Sequence, residues 1–318
     1  MTYTPPDLLD GSSLDGSSLD TSHRKVQAMP AAHHTVLVFG ATGRQGGAVA
    51  RELLKRDRPV RALVRDPHSA AAKALREAGA TLVPGDMTDP ASLDMAMREV
   101  RNVYSVQTFT GEHGLEGEVR QGIAVADAAA RTEIAHFVYG SVGGAERASG
   151  VGHFETKGEI ERHIESLGLP ATVLRPTMFM ENFAHIGPRR TDDGLVLTLG
   201  LHPHTPLQMI STSDLGHFAG EVFDHPERYL GQRLEIAGDE LTALQMAETF
   251  QRVGGVSTRF QEQSHDELQA MDGEVATMFR WFREHGYRAD LPVLRSQHPG
   301  LTSLETWLRT TGWIAPTA

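Results

Sequence analysis

The chain has 318 residues, 40% of them apolar, enough for one large α/β domain or a domain with a smaller lobe. Its 41 acidic and 30 basic residues give a net charge of −11, and no basic stripe appears, which argues against a nucleic-acid surface. Cysteine is absent. That excludes disulfides, thiolate nucleophiles and cysteine-based zinc sites, and it fits a cytoplasmic protein.

Residues 1–33 contain DLLDGSSLDGSSLD, with DGSSL present twice. A segment so rich in Gly, Ser and Asp buries little surface and is expected to be a disordered tail. Met29, just before the first strand, is a candidate native start. The tail lacks the apolar core of a secretory signal, and no run of 18 apolar residues suggests a membrane span.

TVLVF (35–39) has the β-branched, apolar character of a buried parallel strand. GATGRQGGAVARELL follows, with glycines at 40, 43 and 46 and then Ala48, Val49, Leu53 and Leu54 at helical spacing. Gly40 permits the tight turn, Gly43 allows close approach of a pyrophosphate, and Gly46 lets the helix pack on the strand. Strand, glycine turn and helix together predict a dinucleotide site in a Rossmann-type fold. The next strand, VRALVRD (60–66), ends at Arg65 and Asp66. That is about 20 residues past the glycines, where the ribose is read. A guanidinium there favours the 2′-phosphate of NADP, and an acid favours NAD.

The βα alternation continues. SAAAKALREAGA (69–80) predicts a helix. TLVPGD (81–86) predicts a strand ending at Asp86, which can accept a hydrogen bond from an adenine amino group. PASLDMAMREV (90–100) is a helix with Pro in its first turn. RNVYSVQ (101–107) is a strand with the loop TFTGEHG leaving its ligand-binding end. A helix over 116–131 and the strand AHFVYGS (135–141) come next. In GVGHFETKGEIERHIESLGLP, His153, Lys157 and Glu161 share one helix face. Ile160, Ile164 and Leu167 lie on another, and Gly168 and Pro170 end the helix. ATVLRP (171–176) is a sixth strand, followed by TMFMENF. The pattern is a doubly wound parallel sheet over 34–187, with a smaller α+β lobe over 188–318 interleaved with it. In that lobe GLVLTLG and PLQMIS predict strands, and STSDLGHFAGEVF predicts a helix capped by Ser213 or a nearby Ser or Thr. The three tryptophans are expected to pack its core. His33–His34 and His202–His204 lack a third ligand at metal spacing, so no metal is expected. VYGSVGG is not the GxSxG of a serine hydrolase.

GATGRQG, LVRDP, PGD, HFETKGEIE, LRPTMFMEN and IAGDELT together resemble the NmrA-like branch of the atypical short-chain dehydrogenase/reductases, over about 35–312. The resemblance implies NADP(H) as cofactor. It places Thr42, Gly43, Arg44 and Gln45 on the phosphates, Arg65 on the 2′-phosphate, and Asp86 and Met87 at the adenine. Gln107 and Thr108 would line the cofactor, Lys157 would reach the nicotinamide ribose, and Pro176, Thr177 and Phe179 would flank the nicotinamide. Where relatives carry a second basic residue after the arginine, His68 and Ser69 stand here. The family's catalytic tyrosine position holds His153, with Lys157 in register and Ser141 near the place of the family's serine. His153 reads either as the proton donor or as pocket lining. The resemblance implies an NADPH-dependent reductase of a small quinone-like, enone or carbonyl acceptor. The alternative is a non-catalytic NADP(H) sensor that regulates a partner protein.

Overall fold

The computed structural model describes residues 34–111 and 113–316. The expected tail and the candidate start at Met29 lie outside the described residues, as does Glu112.

The first half alternates strand and helix: β1 (Val36–Val38), α1 (Arg44–Lys55), β2 (Val60–Val64), α2 (Ala70–Glu77), β3 (Thr81–Pro84), α3 (Pro90–Met97), β4 (Asn102–Ser105), α4 (Gly114–Ala130), β5 (His136–Gly140), α5 (Gly152–Ser166) and β6 (Ala171–Pro176). The second half mixes short strands and helices: β7 (Met178–Phe179), α6 (Phe183–Ile186), β8 (Arg189–Thr191), β9 (Gly194–Leu199), β10 (Pro206–Ile210), α7 (Thr212–Asp224), α8 (Pro226–Tyr229), β11 (Arg233–Ile236) and β12 (Asp239–Thr242). It closes with α9 (Ala243–Gly254), β13 (Thr258–Glu262), α10 (His265–Met271), α11 (Gly273–Glu284), α12 (Leu291–Gln297) and α13 (Leu304–Thr310).

The main sheet has seven parallel strands in the order β11-β6-β5-β4-β1-β2-β3. Its strand order reverses between β1 and β4, the place where ligands enter open α/β sheets. All three residues of β1 are fully buried, which is why its run is purely apolar. Two apolar clusters cover the two faces of this sheet. One includes Val49, Leu53, Leu215 and Phe218; the other includes Leu93, Val125, Ile160 and Ile164. A third cluster, around Leu197, Met209, Phe250 and Trp281, fills the smaller lobe.

Two small sheets, β12-β10-β7 and β13-β9-β8, build that lobe. The chain crosses between the layers more than once: β7 leaves the main sheet, and β11 returns to its edge beside β6. α7 lies close along α1 because Gly216 and Gly220 face it. A Cβ at Gly216 would come 2.9 Å from Ala48 O. Arg56 of α1 then reaches Glu221 at 2.6 Å and Asp224 at 2.7 Å.

Several boundaries differ from the sequence expectation for local reasons. α2 stops at Glu77, since Ala78 is its C-cap and Gly79 turns to φ +104. β3 stops before Asp86, whose N–H bonds to Ser92 Oγ at 2.9 Å and turns the chain toward α3. Among the Ser and Thr candidates near Ser213, the cap of α7 is Ser211, which accepts from Asp214 N at 3.0 Å. Trp281 and Trp307 are buried in the lobe core, and Trp313 packs against it partly buried, as expected.

Candidate active site

The glycine turn joins β1 to α1 at the strand-order reversal. Gly40 has φ +68, and a Cβ on it would sit 2.8 Å from Val106 O after β4. A Cβ on Gly46 would collide with Gly40 O and lie 2.9 Å from Ala41 N. Both positions therefore demand glycine, one for its backbone angle and one for close packing. Gly43 is the N-cap of α1 and brings no side-chain cap. By contrast, side chains of Ser69, Asp89, Ser211 and Thr242 cap α2, α3, α7 and α9. An uncapped helix start beside a glycine turn is a ready receptor for phosphate oxygens.

The residues that the sequence points to follow the carboxyl ends of β1, β2, β3, β4 and β6. Thr42 and Arg44 are exposed at the rim of the glycine turn. Arg44 Nη2 lies 2.9 Å from His185 Nε2 of α6. Arg65 and Asp66 stand exposed at the end of β2. The Asp66 carboxylate accepts from His68 N at 2.8 Å, so the acid is occupied in its own turn while the guanidinium has no such partner among the described residues. Asp86 accepts from the hydroxyl and then the N–H of Thr88, and these bonds hold its carboxyl below the usual range. Gln107 is buried after β4; its Nε2 donates to Ser105 Oγ at 2.8 Å and lies 3.6 Å from Met87 Sδ. Thr108 is exposed and pairs with Thr110 at 2.8 Å. Pro176 ends β6, Thr177 is 2% exposed, and Phe179 lies in β7.

Three buried polar atoms in this set make no hydrogen bond among the described residues: Gln45 Oε1, Gln107 Oε1 and Thr177 Oγ1. Buried groups of this kind call for a partner. They follow β1, β4 and β6, at the carboxyl ends of parallel strands, and together with the glycine turn they fit an elongated polar molecule such as a dinucleotide.

α5 carries the second half of the site. Lys157 is 5% exposed, donates to Gln107 O at 3.3 Å, and lies 3.0 Å from Glu118 Oε1 of α4. Oε1 receives no well-aligned hydrogen bond, so this contact is an ion pair first. The other Glu118 oxygen accepts from Thr156 Oγ1 at 2.6 Å. Ser141 is buried and its hydroxyl donates to Glu161 Oε1, a carboxylate also held by Arg175 Nε at 3.0 Å. Ser141 is thus tied to a buried ion pair one helical turn beyond Lys157.

His153 sits at the start of α5 with its ring stacked on Phe109, centroids 4.6 Å apart. Its Nδ1 lies 2.8 Å from Glu274 Oε1 of α11. Burial holds its pKa below the ordinary value, and Glu274 only partly offsets that. Burial alone would raise the Glu274 pKa, but bonds from the His153 ring and from the N–H groups of His153 and Gly152 hold it low. The pair at neutral pH is therefore a neutral imidazole with Nδ1–H facing a carboxylate. The proton that an acid would give is absent from Nε2 in that form.

Sequence reasoning did not point to Glu118, Glu274 or Phe109. Glu118 left a trace: Gly122 and Val125 follow it at i+4 and i+7 on the buried face of α4, so a carboxylate stands on an apolar stripe. Glu274 left none. Among the described residues, no group of three or more His, Cys, Asp or Glu is placed to hold a metal ion, and no helix is long and apolar enough to cross a membrane. An open hollow of about 610 Å³ between Glu248 and Ser257 includes none of these residues.

Fold and site together define a dinucleotide-binding protein of the Rossmann type with a small second lobe. A family model described as the NmrA-like family matches residues 32–308, and the chain belongs to that family. It is 31% identical over 295 residues to an NmrA-like family domain-containing protein of Dictyostelium discoideum, covering 86% of this chain and 96% of that one. It is also 31% identical over 256 residues to an NmrA-like family domain-containing oxidoreductase of Aspergillus hancockii, covering 73% of this chain and 76% of that one. Among solved structures, an NADPH-dependent quinone oxidoreductase of Escherichia coli complexed with NADPH superposes with a TM-score of 0.73 at 22% identity, over 87% of this chain and 99% of that one.

Proposed function

We propose that the protein is an NADPH-dependent oxidoreductase that reduces a small quinone-like, enone or carbonyl acceptor. The observation that carries the reading is the glycine turn with the uncapped start of α1 at the strand-order reversal. Gln45 Oε1, Gln107 Oε1 and Thr177 Oγ1, buried and unpartnered among the described residues, follow the C-terminal ends of β1, β4 and β6. The Aspergillus relative described as an oxidoreductase and the quinone oxidoreductase of like fold support the class.

NADPH, when bound, supplies hydride at its nicotinamide ring. The α1 N-terminus and the backbone at Gly43 receive the pyrophosphate. Arg65 holds the 2′-phosphate, which makes NADPH the preferred cofactor over NADH; Asp86 and Met87 hold the adenine. Lys157, oriented by Glu118, reaches the nicotinamide ribose, and Thr177 and Phe179 flank the ring. His153 and Ser141 complete the catalytic end. At neutral pH neither presents an ordinary acid: His153 is a neutral acceptor at Nε2, and Ser141 is engaged with Glu161. That favours acceptors whose reduced form is a delocalised anion needing little protein acid, with solvent supplying the proton.

The test is steady-state NADPH oxidation against a panel of quinones, enones and aldehydes. Turnover with quinones above carbonyls is the expected result. If no acceptor oxidises NADPH while it binds tightly, the sensor that regulates a protein partner replaces this reading.

A further inference from the structure

α5 begins without a cap of its own. Val151, its N-cap, offers no side-chain acceptor, yet the helix carries His153 and Lys157. The acceptor comes from α11 in the smaller lobe. Glu274 Oε2 accepts from Gly152 N at 3.1 Å, and Oε1 accepts from His153 N at 3.0 Å. The same Oε1 lies 2.8 Å from His153 Nδ1. One carboxylate thereby fixes the helix start, the ring's rotation and the ring's hydrogen-bonding sense. Backbone N–H groups can only donate, so Glu274 accepts at both oxygens as a carboxylate, and the ring proton must sit on Nδ1.

The opposite nitrogen then carries a lone pair. His153 Nε2 makes no hydrogen bond among the described residues, although the ring is only 15% exposed. Phe109 stacks on one face of the ring at an interplanar angle of 23°, and Phe154 meets it edge-on with centroids 4.8 Å apart. An aromatic wall and a fixed acceptor nitrogen thus lie side by side at the start of the helix that holds Lys157. The charged groups acting on the ring are Glu274 from α11, Glu118 from α4 and Lys157 from α5 itself.

We propose that Glu274 is a positioning residue that locks His153 in its Nδ1–H form and presents Nε2 as the acceptor for an aryl O–H of the bound molecule. The ligand class is a planar aromatic alcohol. A quinol, the reduced product of a quinone, has this chemistry; the quinone lacks the donor. The location of the pocket rests on the reductase reading above, but the readouts below require no turnover, so the two stand or fall separately.

The experiment uses the full chain, labelled with ¹⁵N-histidine and loaded with NADPH under anaerobic conditions. Long-range ¹H–¹⁵N correlation reads the tautomer of each ring, and His153→Asn assigns the signal. The wild type shows His153 protonated on Nδ1 and bare on Nε2 at neutral pH. Hydroquinone moves the Nε2 signal; 1,4-dimethoxybenzene, the same ring without donors, does not. Glu274→Ala loses the Nδ1–H preference and weakens hydroquinone roughly tenfold, the size of one hydrogen bond between neutral groups. Glu274→Gln keeps an acceptor for Nδ1–H, retains the tautomer and lowers the imidazole pKa, because the carboxylate charge that favours imidazolium is gone. A purely structural cap would change melting temperature while leaving the tautomer alone. The proposal is overturned if wild-type His153 carries its proton on Nε2, if Glu274→Ala leaves the tautomer unchanged, or if both probes act alike. Should Glu274→Ala fail to fold, the wild-type tautomer and the two probes decide.

Discussion

Lys157 is expected to answer for stability as well as for the cofactor. Its side chain is 7% exposed, and that of its partner Glu118 is 0% exposed. Lys157→Met keeps most of the side-chain volume and removes the charge. Glu118 would then be a carboxylate with no exposure, left with Thr156 Oγ1 as its hydrogen-bond donor. Removing one partner of such a pair costs about 3–5 kcal/mol, because the other is left uncompensated. At about 2–4 °C per kcal/mol for chains approaching this size, melting should fall by roughly 6–20 °C. Lys157→Met/Glu118→Gln removes both charges and leaves an amide oxygen for Thr156. The double variant should recover most of the loss, with a coupling energy of about 2 kcal/mol or more. Calorimetric melting of the four proteins measures this. The double variant, being stable, also shows whether NADPH binding needs the ammonium group itself. If Lys157→Met melts within about 2 °C of the wild type, the buried pair does not carry the weight assigned to it.

Other consequences follow from single contacts. Arg65→Ala loses one charge-assisted contact worth roughly 1.5–3 kcal/mol, so NADPH should weaken about 10- to 100-fold in titration calorimetry while NADH stays nearly unchanged. Gly46→Ala drives a methyl into Gly40 O. It should cost roughly 1–3 kcal/mol in urea unfolding and weaken NADPH at least tenfold. His136 is buried, and burial with the nearby Arg58 lowers its pKa to about 4. The unfolded chain takes up this proton near pH 6.5 and the native chain only near 4, so acidification across that window favours unfolding by about 3 kcal/mol from this group. His136→Gln should flatten the pH slope of stability between those limits; an unchanged slope would refute the assignment.

The sequence carried the nucleotide half of the fold well because local chemistry specifies it. An apolar strand leading into GATGRQGG has few other uses, and each glycine meets a separate steric demand at Gly40 and Gly46. The strand–helix alternation through Pro176 was legible for the same reason, with Ser69, Asp89 and Gly168 marking helix ends. Beyond β6 the signals are weaker. β11 is four residues, RLEI, and nothing within it says that it returns to the edge of the main sheet rather than joining the lobe. The charges that set the site are non-local. Glu274 lies 121 positions from His153, and helical periodicity on either segment says nothing of their meeting. Glu161 was legible as a face-mate of Lys157, but its engagement with Ser141 and Arg175 depends on β5 and β6 lying side by side. For His153, which the sequence leaves as either proton donor or pocket lining, burial lowers the pKa below the ordinary value.

The central claim is that this site holds NADPH for hydride transfer to a small delocalised acceptor. The most direct test is a single turnover. Protein saturated with NADPH, or with NADPH carrying deuterium at the transferred position, is mixed anaerobically with 1,4-naphthoquinone while reduced-nicotinamide absorbance is followed. The account predicts rapid loss of absorbance and a slower rate with the deuterated cofactor; in a separate mixing at one subsaturating NADPH concentration, Gly46→Ala should oxidise at least tenfold less than the wild type. Stable absorbance with bound NADPH, or equal rates in the wild type and Gly46→Ala, would contradict it.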